Sequence, residues 1–224
     1  MWRVSLLNRG GGRGEGIKTA SASPRGFTLV ELLVVIAVMS LLAFLAGPAL
    51  SALSRSGNLQ GSGTQISDIL EQAYATALAR NTYVWVGFSQ LATHGGGIAV
   101  ASVYSAHEDP ADLPDSVVPL TKTAFFPNLN LATISESLIS NADRATTSVS
   151  QITDAELTTF SARVGGAPQT LTYVMEITPS GQVLVSSTRY AWIEIGLEPL
   201  NGNGKDVAVI QMSALTGRVA TYQP

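Results

Sequence analysis

One stretch limits what this chain can fold into more than any other. The 23 consecutive residues Leu32–Ser54 contain no charged side chain and are rich in Leu, Val, Ile and Ala. About 20 apolar residues in a helix are enough to cross the hydrocarbon core of a bilayer. Because the apolar character extends back to Phe27, the sequence predicts a single transmembrane helix over residues 27–53.

The charges on the two sides of this helix predict its orientation. Residues 1–26 carry a formal charge of +4 and residues 27–224 carry −7, so the whole-chain value of −3 conceals two opposite segments. Basic flanks stay on the cytoplasmic side of a membrane. We therefore expect a cytoplasmic N-terminus, a single pass through the inner membrane and a periplasmic C-terminal domain. The acidic body argues against binding to nucleic acid phosphates.

A cleaved secretory signal peptide is the alternative interpretation of the N-terminus. Such a peptide has a shorter apolar region, followed by a cleavage site of small residues. The apolar run here is longer, and Ala46–Ala49 is a poor match to such a site. The basic segment also ends abruptly at Gly26, directly before the apolar run, which favours a retained helix.

The residues at this junction resemble a known processing motif. The sequence GFTLVE at residues 26–31 is similar to the cleavage and methylation motif of type IV prepilins and type II secretion pseudopilins. The resemblance implies that residues 1–26 are a leader, which a prepilin peptidase removes by cutting between Gly26 and Phe27. It also implies that the new amino terminus of Phe27 is N-methylated.

Glu31 is an acid at the start of a membrane-length apolar run. An ionisable group at membrane depth is costly, and it indicates a functional partner. The resemblance implies that this partner is the α-amine of Phe27 on a neighbouring subunit, so that Glu31 aligns subunits during assembly. The alternative is that Glu31 lies at the headgroup level and is solvated.

Pro48 lies inside the same predicted helix. Proline removes one backbone hydrogen bond and loosens the preceding turn. Transmembrane helices tolerate proline, which is one explanation. The resemblance provides another, because pilin-like proteins commonly have a proline at this spacing, where it is associated with local melting of the helix during assembly.

Beyond the membrane segment, the pattern predicts an α+β protein in which the long N-terminal helix packs on an antiparallel β-sheet domain over residues 82–224. The polar, glycine-rich Ser54–Gly63 predicts a hinge. An amphipathic helix is expected from Gln65 to near Asn81, since apolar residues recur at helical spacing. The residues of its buried face are Ile66, Ile69, Leu70, Ala73, Ala77 and Leu78.

Most of the C-terminal domain has the composition of strands and tight turns. The expected strands are Tyr83–Phe88, Ile98–Tyr104, Leu171–Thr178, Gln182–Ser187, Ala191–Leu197, Val207–Met212 and Val219–Tyr222. The turns Pro179–Gly181 and Asn201–Gly204 join two pairs of these strands as hairpins. Residues 106–168 have weak periodicity and predict a long variable insert, with a possible helix at Ile152–Phe160.

A finer resemblance covers the helix-to-strand passage. LEQAYATALARNTYVWVGF at residues 70–88 resembles the corresponding passage of the H-type, FimT-like minor pseudopilins. ITPSGQV and LTGRVATY resemble the closing hairpins of that group. The long leader and serine-rich insert are similar to those of the pilin-like cassette proteins of Verrucomicrobia.

These resemblances imply a structural subunit of a type II secretion-like pseudopilus for protein export. Its expected partners are prepilin peptidase, other pilin-like subunits and an inner-membrane assembly platform. A minor type IV pilin involved in pilus assembly, adhesion or DNA uptake is the alternative.

We find no sequence pattern for catalysis or for a metal site. The chain lacks cysteine, and neither His94 nor His107 has a second ligand at helical spacing. The acidic stretch at 107–115 has oxygen ligands suited to Ca²⁺ but not the spacing of an EF-hand, so a solvated loop is favoured. We expect no enzymatic activity and no cofactor.

Overall fold

The computed structural model describes residues 28–92, 96–106, 117–135, 139, 141–202, 204 and 206–223, and the side chains of residues 45–57 lie outside this description. The chain divides into two compact units, Met1–Gly47 and Pro48–Pro224, which are treated separately. One helix, α1, runs from Leu29 to Arg80 and contributes residues to both units.

The first unit consists of the N-terminal part of α1. All its described side chains, at residues 28–44, are exposed. Among the large apolar ones, the exposed fraction runs from 43% at Val35 to 79% at Phe44. The transmembrane helix predicted over residues 27–53 also includes Phe27 and residues 45–53, whose side chains lie outside the description. Within the part of the chain that the structure describes, no helix combines the length and apolar character needed to cross a membrane.

The second unit contains the remainder of α1 and the strands. Their bounds are β1 Val84–Leu91, β2 Gly97–Ser105, β3 Val117–Pro119, β4 Ala124–Pro127, β5 Leu129–Ala132, β6 Val149–Gln151, β7 Phe160–Val164, β8 Ala167–Leu171, β9 Tyr173–Ile177, β10 Val183–Leu184, β11 Trp192–Pro199, β12 Ala208–Ser213 and β13 Val219–Tyr222. The predicted strands are thus confirmed, although the one expected at Gln182–Ser187 is only two residues long.

The described strands form two larger sheets and one hairpin. The first sheet has the order β10-β9-β1-β2-β3, and β4 also pairs with β2. The second has the order β13-β12-β11-β5, and β6 pairs with β11 in parallel. The third is the hairpin β7-β8. All the other pairings are antiparallel, which bears out the expected α+β class.

One face of α1 and one face of each large sheet share a single core. Of the predicted buried face, Leu78 is 46% exposed and Ile69 is only partly buried. The buried positions in the described part of α1 in this unit are Leu59, Gly63, Ile66, Leu70, Ala73 and Ala77. They pack with alternate residues of β1, such as Val86, and of β11, such as Ile195. The alternation follows from the two-residue period of a strand, which sends successive side chains to opposite faces.

The predicted hinge at Ser54–Gly63 is wrong, because α1 continues through it. Glycine weakens a helix, but most helical stability in proteins comes from packing of the buried face. Leu59 and Ile66 are 4% and 0% exposed, so this stretch is held against the core on both sides of Gly63. The helix ends as expected, with Asn81 at a φ of 51° directly after it.

The described part of the predicted insert at residues 106–168 contributes strands to both large sheets, so it is more regular than its weak periodicity indicated. The helix predicted at Ile152–Phe160 is also wrong: a short 3₁₀ turn covers Ile152–Asp154, and Phe160 begins β7. Ile152 and Phe160 are both buried, but against different clusters, and their apolar spacing imitated one helical face.

The same region covers the outer faces of the two sheets. The hairpin β7-β8 packs on Trp85, Ala99 and Val174 of the first sheet. Ile134 and Ile139 pack on Val209 of the second sheet. The central strands of both sheets are therefore buried on two sides.

Candidate processing and assembly site

The first turn of α1 has a reciprocal cap formed by Thr28 and Glu31. The backbone N–H and the hydroxyl of Thr28 each donate to Oε2 of Glu31, both at 2.9 Å. The backbone N–H of Glu31 donates to Oγ1 of Thr28 at 3.2 Å. This is a capping box, in which two side chains satisfy backbone donors that the helix start leaves unpaired.

The cap holds the Glu31 carboxylate at the positive end of the helix dipole, where a negative charge is favourable. It also directs the carboxylate back toward the backbone N–H of Thr28, at the first described residue of the chain. Sequence reasoning missed the role of Thr28. The signal was present, because Ser or Thr followed three residues later by Glu is the capping-box pattern.

The other predicted site residues are less completely described. Gly26 and Phe27 lie outside the described residues. Pro48 is within α1, but its side chain also lies outside the description. The roles of these residues, and that of Glu31 in pairing with a neighbour, stay predictions.

A second polar cluster lies within the β domain, where Arg144 forms a buried ion pair with Glu194. Nε of Arg144 donates to Oε1 of Glu194 at 2.8 Å, and Nη2 donates to Oε2 at 2.9 Å. Both side chains are 2% exposed. Gln211 donates to the same Oε1 at 2.9 Å, so the carboxylate is satisfied on both oxygens.

This cluster fastens the segment before β6 to the second sheet. The Gln211 side chain bonds Ala145 in both directions, to its N–H at 3.0 Å and its carbonyl at 2.8 Å. Arg144 also donates to the Ile139 carbonyl at 3.3 Å. Since every polar group is paired and the ion pair is closed off from solvent, the cluster reads as structural rather than catalytic. The sequence signal was Glu194, a charged residue inside the apolar strand IEI.

Glu176 on β9 is the one described carboxyl outside the N-terminal segment whose pKa is clearly shifted. Burial raises the pKa of Glu176, and the hydrogen bond from Trp85 Nε1, at 3.1 Å, partly opposes the rise. Tyr83 stacks on Trp85 with ring centroids 6.1 Å apart. Trp85 therefore holds this carboxyl as a hydrogen-bond donor and supplies no second acid or base.

A metal site is not apparent in the described part of the chain, where no three His, Asp or Glu side chains lie close enough to hold an ion. His94, His107 and the acidic stretch at 107–115 lie outside the described residues.

A capped helix with exposed apolar residues, continuing into an antiparallel β domain, is consistent with a pilin-like protein. Residues 22–47 match the family model described as the prokaryotic N-terminal methylation motif. This match spans the junction at Gly26 and indicates a pilin-like or pseudopilin substrate of prepilin peptidase. No curated protein matched the chain, and no solved structure did.

Proposed function

We propose that this chain is a minor pseudopilin, cut between Gly26 and Phe27, N-methylated on Phe27 and assembled into a type II secretion-like pseudopilus for protein export. Residues 27–53 would anchor it in the inner membrane, with the N-terminus in the cytoplasm and the β domain in the periplasm. The observation that carries the proposal is the methylation-motif match at residues 22–47.

The surface of the first unit supports an assembly role. Twelve large apolar side chains between Leu29 and Phe44 are at least 43% exposed. Soluble proteins rarely leave such a continuous apolar surface uncovered. Lipid covers it in a membrane-anchored precursor, and helices of neighbouring subunits cover it in a filament.

The capping box supports a positional role for Glu31. Among the residues that the structure describes, the donors to its carboxylate are those of Thr28, on an exposed helix end. Charge-assisted hydrogen bonds to an ammonium are stronger than bonds to neutral donors. A methylated α-amine on an incoming subunit would therefore compete with Thr28 for the carboxylate. Assembly would then depend on prior cleavage, because the amine exists only after Gly26 is removed.

The choice of the H-type pseudopilin group depends on the resemblance of residues 70–88 and of the closing hairpins. In that passage α1 ends at Arg80, and β1 follows after three residues. Arg80 lies over the Tyr104 ring, 4.9 Å from its centroid, and so ties the helix end to β2. The similarity to the Verrucomicrobia cassette proteins belongs to the same proposal.

Cleavage is tested with Gly26→Val in a cell that contains prepilin peptidase. The branched side chain should prevent the close approach of the backbone to the protease that glycine, without a side chain, allows, so the leader should remain attached. Gly16→Val, in the same leader, is the matched control and should be processed normally. Normal maturation of Gly26→Val would refute the proposed cleavage site.

The assembly role is tested separately with Glu31→Gln and Glu31→Ala. Both variants should be cut and methylated but incorporated poorly into filaments, because neither offers a charge to the incoming amine. Wild-type incorporation of both would remove Glu31 from the assembly mechanism and leave the cleavage proposal intact.

A further inference from the structure

A groove of about 540 Å³ opens on the outer face of the first sheet. Its floor contains Ala101 and Val103 of β2, and one wall contains Val117 and Pro119 of β3. The opposite wall is formed by Ser161–Arg163 of β7. Cavities of roughly 300–1,000 Å³ with apolar linings are typical ligand sites.

The hairpin register shows which backbone groups β7 presents. Gly165 and Gly166 form the turn, and Val164 pairs with Ala167 directly before and after it. In a two-residue hairpin this closing pair is hydrogen-bonded, and bonded and non-bonded pairs then alternate along the ladder.

Ser161 and Arg163 consequently occupy non-bonded positions, and their N–H and C=O groups point away from β8. The partner of Arg163 in the register is Pro168, which has no N–H to donate. Proline fits a non-bonded position because the ladder between the two strands uses no N–H there. Among the described residues, no other strand pairs with this edge of β7, which lies beside the groove.

Two cations flank the same groove. Lys122 and Arg163 are both exposed and line it from opposite walls. Among the described residues, neither side chain has an acidic partner, and the ion pair found there is that of Arg144 with Glu194. An apolar floor between two cations that have no acidic partner in the described part of the chain is complementary to a ligand that is apolar on one side and acidic on the other.

We propose that this groove binds an extended segment of a partner protein, which adds to β7 as a further strand and alternates apolar with acidic side chains. Main-chain hydrogen bonds to an exposed strand edge supply affinity in this mode of recognition, and alternate side chains supply specificity. The partner's inward side chains face Ala101 and Val103, and its outward side chains lie beside Arg163 and Lys122. The inference does not depend on the proposed function.

The probe is a hexapeptide of alternating Glu and Val with blocked ends, titrated calorimetrically into the full-length protein in detergent. We expect saturable binding that is about tenfold weaker when Lys replaces Glu, because like charges then meet Arg163 and Lys122. Alternate amides of the peptide can be N-methylated in two ways, at the odd or at the even positions. Only one of these two peptides should lose binding, the one whose methylated amides face β7. Equal binding of the Glu and Lys peptides, or no binding of either, would overturn the proposal.

Two proline variants form a matched pair on the two edges of the hairpin. Ser161→Pro removes an N–H from the edge beside the groove, whereas Thr170→Pro removes one from the opposite edge. The two residues are cross-strand partners in the register. Peptide affinity should fall about tenfold or more in Ser161→Pro and persist in Thr170→Pro. Loss in both variants, or in neither, would contradict strand addition at β7.

A charge exchange keeps the proposal testable if either proline variant is poorly folded. Arg163→Glu should bind the Lys peptide better than the Glu peptide, and Arg189→Glu, at an exposed position away from the groove, should keep the original preference. An unchanged preference in Arg163→Glu would refute the charge argument.

A last variant tests whether the chain's own acidic residues compete with the peptide for the groove. We expect unchanged affinity when Glu108, Asp109, Asp112 and Asp115 are replaced by their amides. A gain in affinity would show that this stretch competes for the groove, and it would overturn the assignment to a separate partner.

Discussion

Replacement of Arg144 by methionine should destabilise the β domain more than any ordinary surface substitution. The variant leaves the Glu194 carboxylate 2% exposed and with Gln211 as its remaining donor. Removal of one partner from a buried ion pair costs about 3–5 kcal/mol, because the other charge stays desolvated. Single domains are stable by about 5–15 kcal/mol, so the loss is a large part of the total.

The assay is urea unfolding of a fragment that starts at residue 58 and so contains every residue of the described core clusters. With an m-value of about 2 kcal/mol/M, the midpoint should fall by roughly 1.5–2.5 M. The double variant Arg144→Met with Glu194→Met should recover most of this loss, because both charges are gone and the volume is filled.

Arg163→Met is the control, because Arg163 is exposed and has no ion-pair partner among the described residues. Its free energy of unfolding should change by about 0.5 kcal/mol or less. If Arg144→Met behaved like this control, or if the double variant were no more stable than Arg144→Met alone, the structural role assigned to the cluster would be wrong.

Two further predictions use a longer fragment that starts at Pro48, the first residue of the second unit, because Gly61 would lie in the first helical turn of the shorter one. Gly61→Ala should stabilise it by about 0.5–1 kcal/mol, since Gly61 is in the middle of α1 with nothing within 4 Å of an added Cβ. Gly87→Ala should instead destabilise it by about 1–3 kcal/mol, because the new Cβ would lie 2.8 Å from Phe160 Cε1. Shifts of the urea midpoint in opposite directions check both predictions. Destabilisation by Gly61→Ala would instead support a break in the helix at this position. For Glu176, the raised pKa means that the folded state holds the proton more tightly than the unfolded chain does, so its contribution to stability falls as pH rises above about 4.3. Glu176→Gln should therefore be more stable than the wild type at pH 7, and the difference in the free energy of unfolding should disappear below about pH 4.3. A constant difference across the pH range would contradict burial as the cause of the raised pKa.

The helix face and the strands could be predicted from the sequence because their signals are local. Ile66, Leu70, Ala73 and Ala77 recur at helical spacing and are all completely buried. The end of α1 was equally readable, since asparagine tolerates the positive φ that follows a helix.

The continuous helix at Ser54–Gly63 and the ordered structure within residues 106–168 could not be predicted, because both depend on contacts distant in sequence. At Ser54–Gly63 local composition argued for a break, but burial of Leu59 keeps the helix intact. Ordering of the segment before β6 comes from Arg144 reaching Glu194, 50 residues further along the chain. No local period announces such a pair.

At the N-terminus the reverse holds. The motif at residues 26–31 was specific in the sequence, and the structure adds the capping box that Thr28 forms with Glu31. Propensity and pattern predicted a helix start there, but the direction of the carboxylate required side-chain geometry.

The intact mass of the protein purified from membranes of a cell with prepilin peptidase, together with its N-terminal sequence, tests the central claim most directly. The account predicts a chain that begins at Phe27 and is heavier than the unmodified residues 27–224 by one CH2, because a methyl group replaces one hydrogen of the amine. A chain that still begins at Met1, or one cut anywhere other than after Gly26, would contradict it.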